Sequence, residues 1–248
     1  ECSFCSVQVL DARMAKKQST LSVAIRATGA LFSNLHIVIP IAGALGVLVA
    51  VLDLQVMKIL APSALTGPTG VDQSELMALM FGWWGVVLVV EILLGPIVAA
   101  MSIYAARTHS HGGKASLGKA LNFALARYKR MVKWHAAAWL TIQIGMIVLV
   151  PGILFLLQYA FVDSVLCLED EKWPLERSSK LTKKRRGRIF ALVFVWLVIN
   201  QVVGFAELAA ISMGFPTLAL LMSATYVMNI WVTMVFYQFY EDRTQAQR

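Results

Sequence analysis

Long uninterrupted apolar runs alternate along this chain with short breaks that are either basic or rich in turn residues. The first run, roughly Leu35 to Leu52, reads HIVIPIAGALGVLVAVL in its core, and a loop of turn formers, APSALTGPTGVDQSE, follows it. The second extends from about Leu76 to Tyr104 and carries Glu91 in mid-run. Its Leu, Ile, Val and Phe residues each contribute about −0.3 to −0.6 kcal/mol to insertion, against about +3 for one acid, so the segment still enters a bilayer. A third region, His135 to Leu168, is 34 residues long and is split by Pro151-Gly152. The last two runs are Ile189 to about Leu208 and about Leu218 to Tyr240, with FPT at the turn between them.

Runs of about 20 apolar residues are the signature of helices that cross a membrane. The His135–Leu168 region is too long for one straight span, and its flanks decide how it is used. Arg107 to Lys133 carries seven Lys/Arg and Lys172 to Arg188 carries eight. Cations concentrate in cytoplasmic loops, so an even number of passes must lie between these flanks. A hairpin turning at Pro151-Gly152 satisfies that. Each arm is then only about 24 Å long, short of the roughly 30 Å hydrocarbon core. The arms therefore extend into adjoining helix as full spans, the reading favoured here, or form a re-entrant pair.

The expected fold is all-α: a polytopic membrane protein of six transmembrane helices with both termini cytoplasmic. All but Lys58 of its 22 Lys/Arg then fall on the cytoplasmic side, although that bias also placed the hairpin. The domain reading is a cytoplasmic segment at 1–19, a membrane domain at 20–242 and a cytoplasmic tail at 243–248. No cleavable signal peptide is expected, because the first apolar run begins only near Leu31; the start at Glu1 without a Met suggests an upstream segment missing or processed.

Three basic stretches read as amphipathic helices lying at the cytoplasmic interface before a span. In Ser116 to Trp134 the apolar set is Leu117, Leu121, Ala124, Tyr128 and Met131; in Thr20 to Leu35 it is Leu21, Ala24, Thr28, Leu31 and Leu35. Trp173 to Phe190 starts with Pro174 and Glu176 and ends in cations, the order that suits a helix dipole. Three repeats of an interfacial helix followed by a hairpin would account for all six spans.

Composition agrees with the pattern. The chain is 58% hydrophobic and 15% charged, with a mean hydropathy of +0.69; a soluble domain carries about a quarter charged residues. The net charge of +8 then marks topology rather than nucleic-acid binding. The run KLTKKRRGR has no aromatic or polar base readers, so Lys183, Lys184, Arg185, Arg186 and Arg188 are read as anchors at an anionic leaflet. Arg127, Lys129, Arg130 and Lys133 are read the same way. Trp83, Trp84, Trp134 and Trp173 fit an interfacial belt.

Glu91 is the sharpest candidate for chemistry, because an intramembrane acid by default suggests an ion path, a proton relay or a polar interhelical contact. Gln143, Gln158, Asn200, Gln201 and Asn229 are the amides that can meet it or can join helices. Asp163 and Glu207 are placed near helix ends. Gly43, Gly46 and Gly95 read as points of close helix packing. Cys2 and Cys5 have the spacing of one zinc knuckle, and His109 with His111 would complete a Cys2His2 set; a lone CxxC supplies only half the ligands, so no cofactor is expected. No catalytic triad, phosphate loop or HExxH helix is present.

The stretch VPGILFLLQYAFVDSVLCLEDEKWPLERSSKLTKKRRGRIF resembles a pattern of bacterial six-pass membrane families, among them the membrane domain accompanying some glycerophosphodiester phosphodiesterases. The likeness is carried by Pro151-Gly152, Leu168-Glu169, Pro174-Leu175-Glu176 and Leu181, Gly187, Arg188, Ile189 and Phe190, with a looser match back to Ser116. It implies a six-helix fold in a bacterial plasma membrane and an accessory role, and it hands over no catalytic residues. The expected function is thus a non-catalytic accessory or structural subunit, partnered by membrane lipids and other membrane proteins and not by nucleic acid. The alternative is a small transporter or lipid-translocating protein with Glu91 on its path. A transporter requires Glu91 to face a hydrated cavity among other polar groups; an accessory subunit predicts a dry interior.

Overall fold

The computed structural model describes residues 19–60, 73–183, 185–245 and 247. Among them are ten helices and no strand: α1 (Thr20–Ser33), α2 (Leu35–Leu60), α3 (Gln73–Leu93), α4 (Gly95–Ser110), α5 (Leu117–Met146), α6 (Val150–Tyr159), α7 (Val162–Leu168), α8 (Pro174–Thr182), α9 (Arg186–Met213) and α10 (Phe215–Gln245). Cys2, Cys5, Lys184, most of the 1–19 segment and most of the loop after α2 lie outside the described residues.

Four stretches are long and apolar enough to cross a membrane: Leu35–Leu60, Val150–Leu168, Arg186–Glu207 and Phe215–Gln245. Phe81–Leu93 and Gly95–Ser110 make a fifth if the pair, bent by 50°, counts as one span. The sequence reading expected six, and the difference lies in α5. The basic lead-in and the first hairpin arm are one continuous helix, capped by Ser116, whose hydroxyl accepts from Lys119 N at 3.4 Å. Beyond Lys133 only Trp134 to Met146 remain free of charge, about 20 Å of helix, which does not by itself cross a core of about 30 Å.

The hairpin itself forms, but it turns at Ile147–Leu149 rather than at Pro151-Gly152. Leu149 takes a positive φ of 62°, and Pro151 stands in the first turn of α6, where its missing N–H costs nothing. The arms approach closely because Gly145 faces Gly152: a Cβ on Gly145 would stand 2.9 Å from Gly152 Cα. At the open end Arg127 Nε donates to the Cys167 carbonyl at 2.9 Å, and Arg130 reaches Asp170 at 3.0 Å. Both basic flanks therefore sit at one end of the bundle.

Further ion pairs gather at the same end. Arg26 forks onto Asp242 at 2.8 Å and its Nε donates to Gln238, which in turn donates to Ser110 at 3.0 Å. Arg177 pairs with Glu169 at 2.8 Å, and the Tyr240 hydroxyl donates to the same carboxylate. α10 packs most extensively on α2, and α4, lined by Ala99, Ala100, Ala105 and Ala106, is buried at the centre.

The amphipathic faces differ in detail from expectation. On α1 the buried residues are Val23, Ala27, Ala30 and Leu31, while Leu21, Ile25 and Phe32 are exposed; on α5 Leu117 and Leu121 are exposed and Ala120, Ala124 and Met131 are buried. Both lead-in segments thus have an apolar stripe against protein and a second one facing outward. Of the expected close-packing glycines, Gly46 and Gly95 qualify, whereas a Cβ on Gly43 would meet nothing within 4 Å.

Candidate functional site

Glu91 occupies the last turn of α3, next to the bend that opens α4. Pro96 has no N–H for the Ile92 carbonyl, Ile97 N turns to the Leu94 carbonyl at 3.0 Å, and the Leu93 carbonyl so left accepts from the Tyr128 hydroxyl at 2.9 Å. Gly95 at the bend leaves room for two side chains. A Cβ in its place would stand 2.9 Å from His135 Nε2 and 3.0 Å from Glu91 Oε2. The missing side chain is therefore what lets the acid and the imidazole come together.

His135 comes from α5, and its Nδ1 lies 2.8 Å from Asp163 Oδ1 on α7. Its Nε2 is buried and makes no hydrogen bond. With Nδ1–H donating to Asp163, Nε2 of a neutral ring is an acceptor turned toward Glu91; on protonation it becomes a donor. Glu91, His135 and Asp163 line a cavity of about 80 Å³ together with Tyr226, Asn229 and Thr233 of α10 and apolar residues of α2, α3 and α4. That space admits several waters, and the polar groups needed to hold them are present.

Of the amides singled out in the sequence, only Asn229 reaches this cavity, and its Oδ1 also accepts from Trp196 Nε1 at 3.0 Å. Asn200 donates to the Trp196 carbonyl of its own helix, and Gln158 offers only its carbonyl, to Ser178 of α8 at 2.8 Å. Gln143 is half-buried and Gln201 exposed, both outside the cavity lining. Asp163 is near a helix end as expected, yet it belongs to the site. His135, Tyr226 and Thr233 were not foreseen. One signal was available: His135 and Asp163 are each 14 residues from Leu149, so any hairpin turning there sets them at one level.

The cationic candidates divide. Arg127 stacks over the Phe123 ring at 3.9 Å besides holding Cys167, and Arg130 also donates to the Glu171 carbonyl. These two are occupied within the protein. Lys129, Lys133, Lys183 and Arg188 are exposed, and Arg185 and Arg186 are half-buried. Burial pushes the Arg185 pKa down, while the hydrogen bond from Arg177 to Glu169 pushes that of Arg177 up. Trp134 and Trp173 meet edge to face at 6.3 Å, with Lys133 and Lys172 over their rings. His111 Nδ1 is 2.7 Å from the Arg107 carbonyl at the end of α4, and the described residues hold no cluster of three His, Cys, Asp or Glu fit for a metal.

No family model, no curated protein and no solved structure matches this chain.

Proposed function

We propose that this chain is a small membrane transporter whose intramembrane site is formed by Glu91, His135 and Asp163. The observation that carries the reading is their convergence from three helices on one cavity inside a bundle of apolar, span-length helices. Ionisable groups in such places mark ion and substrate paths. Two carboxylates facing one imidazole favour a proton, a small cation or a zwitterion over an anion. The broken α3–α4 pair fits the same picture, since discontinuous helices line the sites of many transporters. In this reading the protein sits in a bacterial plasma membrane with the basic end of the bundle cytoplasmic, where Lys129, Lys133, Lys183 and Arg188 meet anionic lipid.

The test uses proteoliposomes on a solid-supported membrane, challenged with a panel of small cations, amines and zwitterions. Charge displacement that Glu91→Gln abolishes, with folding intact, is the expected result. A panel without any Glu91-dependent signal overturns the reading. So does stoichiometric co-purification with other subunits whose activity survives Glu91→Gln. The accessory-subunit alternative has one observation in its favour: the α9 span is only 17% buried within the bundle and presents Phe194, Val198, Val202 and Phe205 outward.

A further inference from the structure

We infer that Asp53 and Glu207 form a second acidic station in the other half of the bundle, joined to the Glu91 cavity by Tyr226, and that the ion this path carries is the proton. The inference rests on the transport reading above and adds to it the ion and the route.

Asp53 lies on α2 and is 7% exposed, and no hydrogen bond closes on either carboxylate oxygen; the Trp83 indole of α3 lies beside it. Glu207 on α9 accepts from Thr225 Oγ1 at 3.0 Å. The next residue, Tyr226, lines the Glu91 cavity and also packs on the small cluster that contains Ala50 and Ala210, one turn from Asp53 and Glu207. Tyr226 thus stands between the two acidic levels.

Depth supports a route. His135 follows the basic flank by two residues, Lys133 being the last cation before it, whereas Asp53 precedes Lys58 by five residues and Glu207 precedes Gly214 by seven. At 1.5 Å per residue the second pair lies about 8 to 10 Å from the opposite helix ends. Among the described residues, the side chains beside these carboxylates are Trp83 and the Glu207 acid at Asp53, Thr225 at Glu207, and the His135–Asp163 pair in the cavity that Glu91 lines. None is a Lys or Arg that would hold a carboxylate permanently charged.

Single carboxylates on separate helices at different depths do not build the six to eight oxygen ligands of a hard cation. They do suit a proton. A proton arriving from the far face binds the Asp53 carboxylate and moves on to that of Glu207. It then passes through the Tyr226 hydroxyl, which accepts one proton while releasing its own, and cavity water carries it to Glu91. From there it moves to His135 Nε2. Asp163 stabilises the imidazolium, and loss of that proton to water at the basic end restores the neutral ring, so one proton enters for each that leaves.

The experiment loads liposomes of phosphatidylethanolamine and phosphatidylglycerol with pyranine, reconstitutes the full chain and imposes a potassium diffusion potential with valinomycin. Wild type should acidify the lumen at a rate unaffected by replacing sodium with choline. Glu91→Gln, Asp53→Asn, Glu207→Gln and Tyr226→Phe should each slow that rate by about a hundredfold, the scale of one positioned proton-transfer group, while lipid-facing Val198→Ala leaves it unchanged. Each variant is first required to elute and melt as wild type; should Asp53→Asn fail, Tyr226→Phe and Glu207→Gln decide. If Glu91→Gln is inactive but the other three retain wild-type flux, the second station is refuted and the transport reading survives. A flux that follows sodium rather than protons refutes the proton. If neither protons nor any solute in the panel moves in a Glu91-dependent way, transport itself fails, and this inference with it.

Discussion

Replacing Gly46 by Ala is expected to loosen the most extensive helix–helix interface of the bundle, that between α2 and α10. A Cβ at Gly46 would stand 2.6 Å from Ser223 Cα, with the Ser223 amide nitrogen closer still, so the obstacle is backbone rather than a side chain able to swing away. Restoring ordinary contact with that backbone requires the helices to part by about 1 Å at that point, and a gap of 0.5–1 Å forfeits a quarter to a half of each dispersion contact. Leu45, Val49, Leu218 and Met222 are buried along the same segments and would share the loss. Overpacking of this kind costs about 1–3 kcal/mol. Ala's better helix propensity returns at most about 1 kcal/mol. Net destabilisation of up to about 2 kcal/mol follows. Gly43 is the internal control: it lies three residues away with open space at its Cβ, so Gly43→Ala keeps only the propensity gain. The two substitutions should move stability in opposite directions in a dodecyl-sulfate unfolding titration of mixed micelles. A Gly46→Ala protein as stable as Gly43→Ala would refute the close approach of α2 and α10.

Two further outcomes are expected from the same titration. Tyr128→Phe removes the donor to the Leu93 carbonyl at the α3–α4 bend and should cost about 1 kcal/mol; no loss would mean that the carbonyl is satisfied otherwise. Glu169→Ala strips the partner from both Arg177 and Tyr240 and should cost about 1–2 kcal/mol after allowance for partial exposure. By contrast Glu176→Ala, at the exposed pair with Lys180, should cost less than about 0.5 kcal/mol. Equal effects of the two acids would argue against a specific role for Glu169.

The spans were legible because hydropathy needs no knowledge of partners. The runs at Leu35, Ile189 and Leu218 reappear as α2, α9 and α10. Helix ends were less legible where polarity imitates a boundary. The first run reads as roughly Leu35 to Leu52, yet α2 continues past Asp53 to Leu60 and buries that acid. Glu91 stood out as the lone acid of its run, but whether an amide such as Gln143 or Asn229 meets it depends on helix rotation, which an apolar sequence does not encode when every face is apolar. Gly43 and Gly46 make the same point, since a three-residue step turns one toward α10 and the other into open space. His135 stands at the first position of the apolar region His135–Leu168, where a polar residue reads as an edge rather than as part of a buried site.

Four acids at span depth, Asp53, Glu91, Asp163 and Glu207, carry an energetic argument of their own. The helix-centre penalty on the insertion scale is about 2.5 to 3.5 kcal/mol per acid, so even at part of that value each of the four weighs against burial in a membrane domain. If they served packing alone, amides would do it more cheaply, as Asn200 and Asn229 do through Trp196. Only Asp163 has an imidazole in direct contact. Neither Asp53 nor Glu207 touches a cation, so Asp53→Asn and Glu207→Gln keep shape and hydrogen-bonding capacity while removing the cost of an acid. The expected result is that both variants unfold at higher dodecyl-sulfate fraction than wild type while losing proton flux. A drop in stability together with the flux would mean that the carboxylates hold the helices together, and the case for a proton path would fall with it.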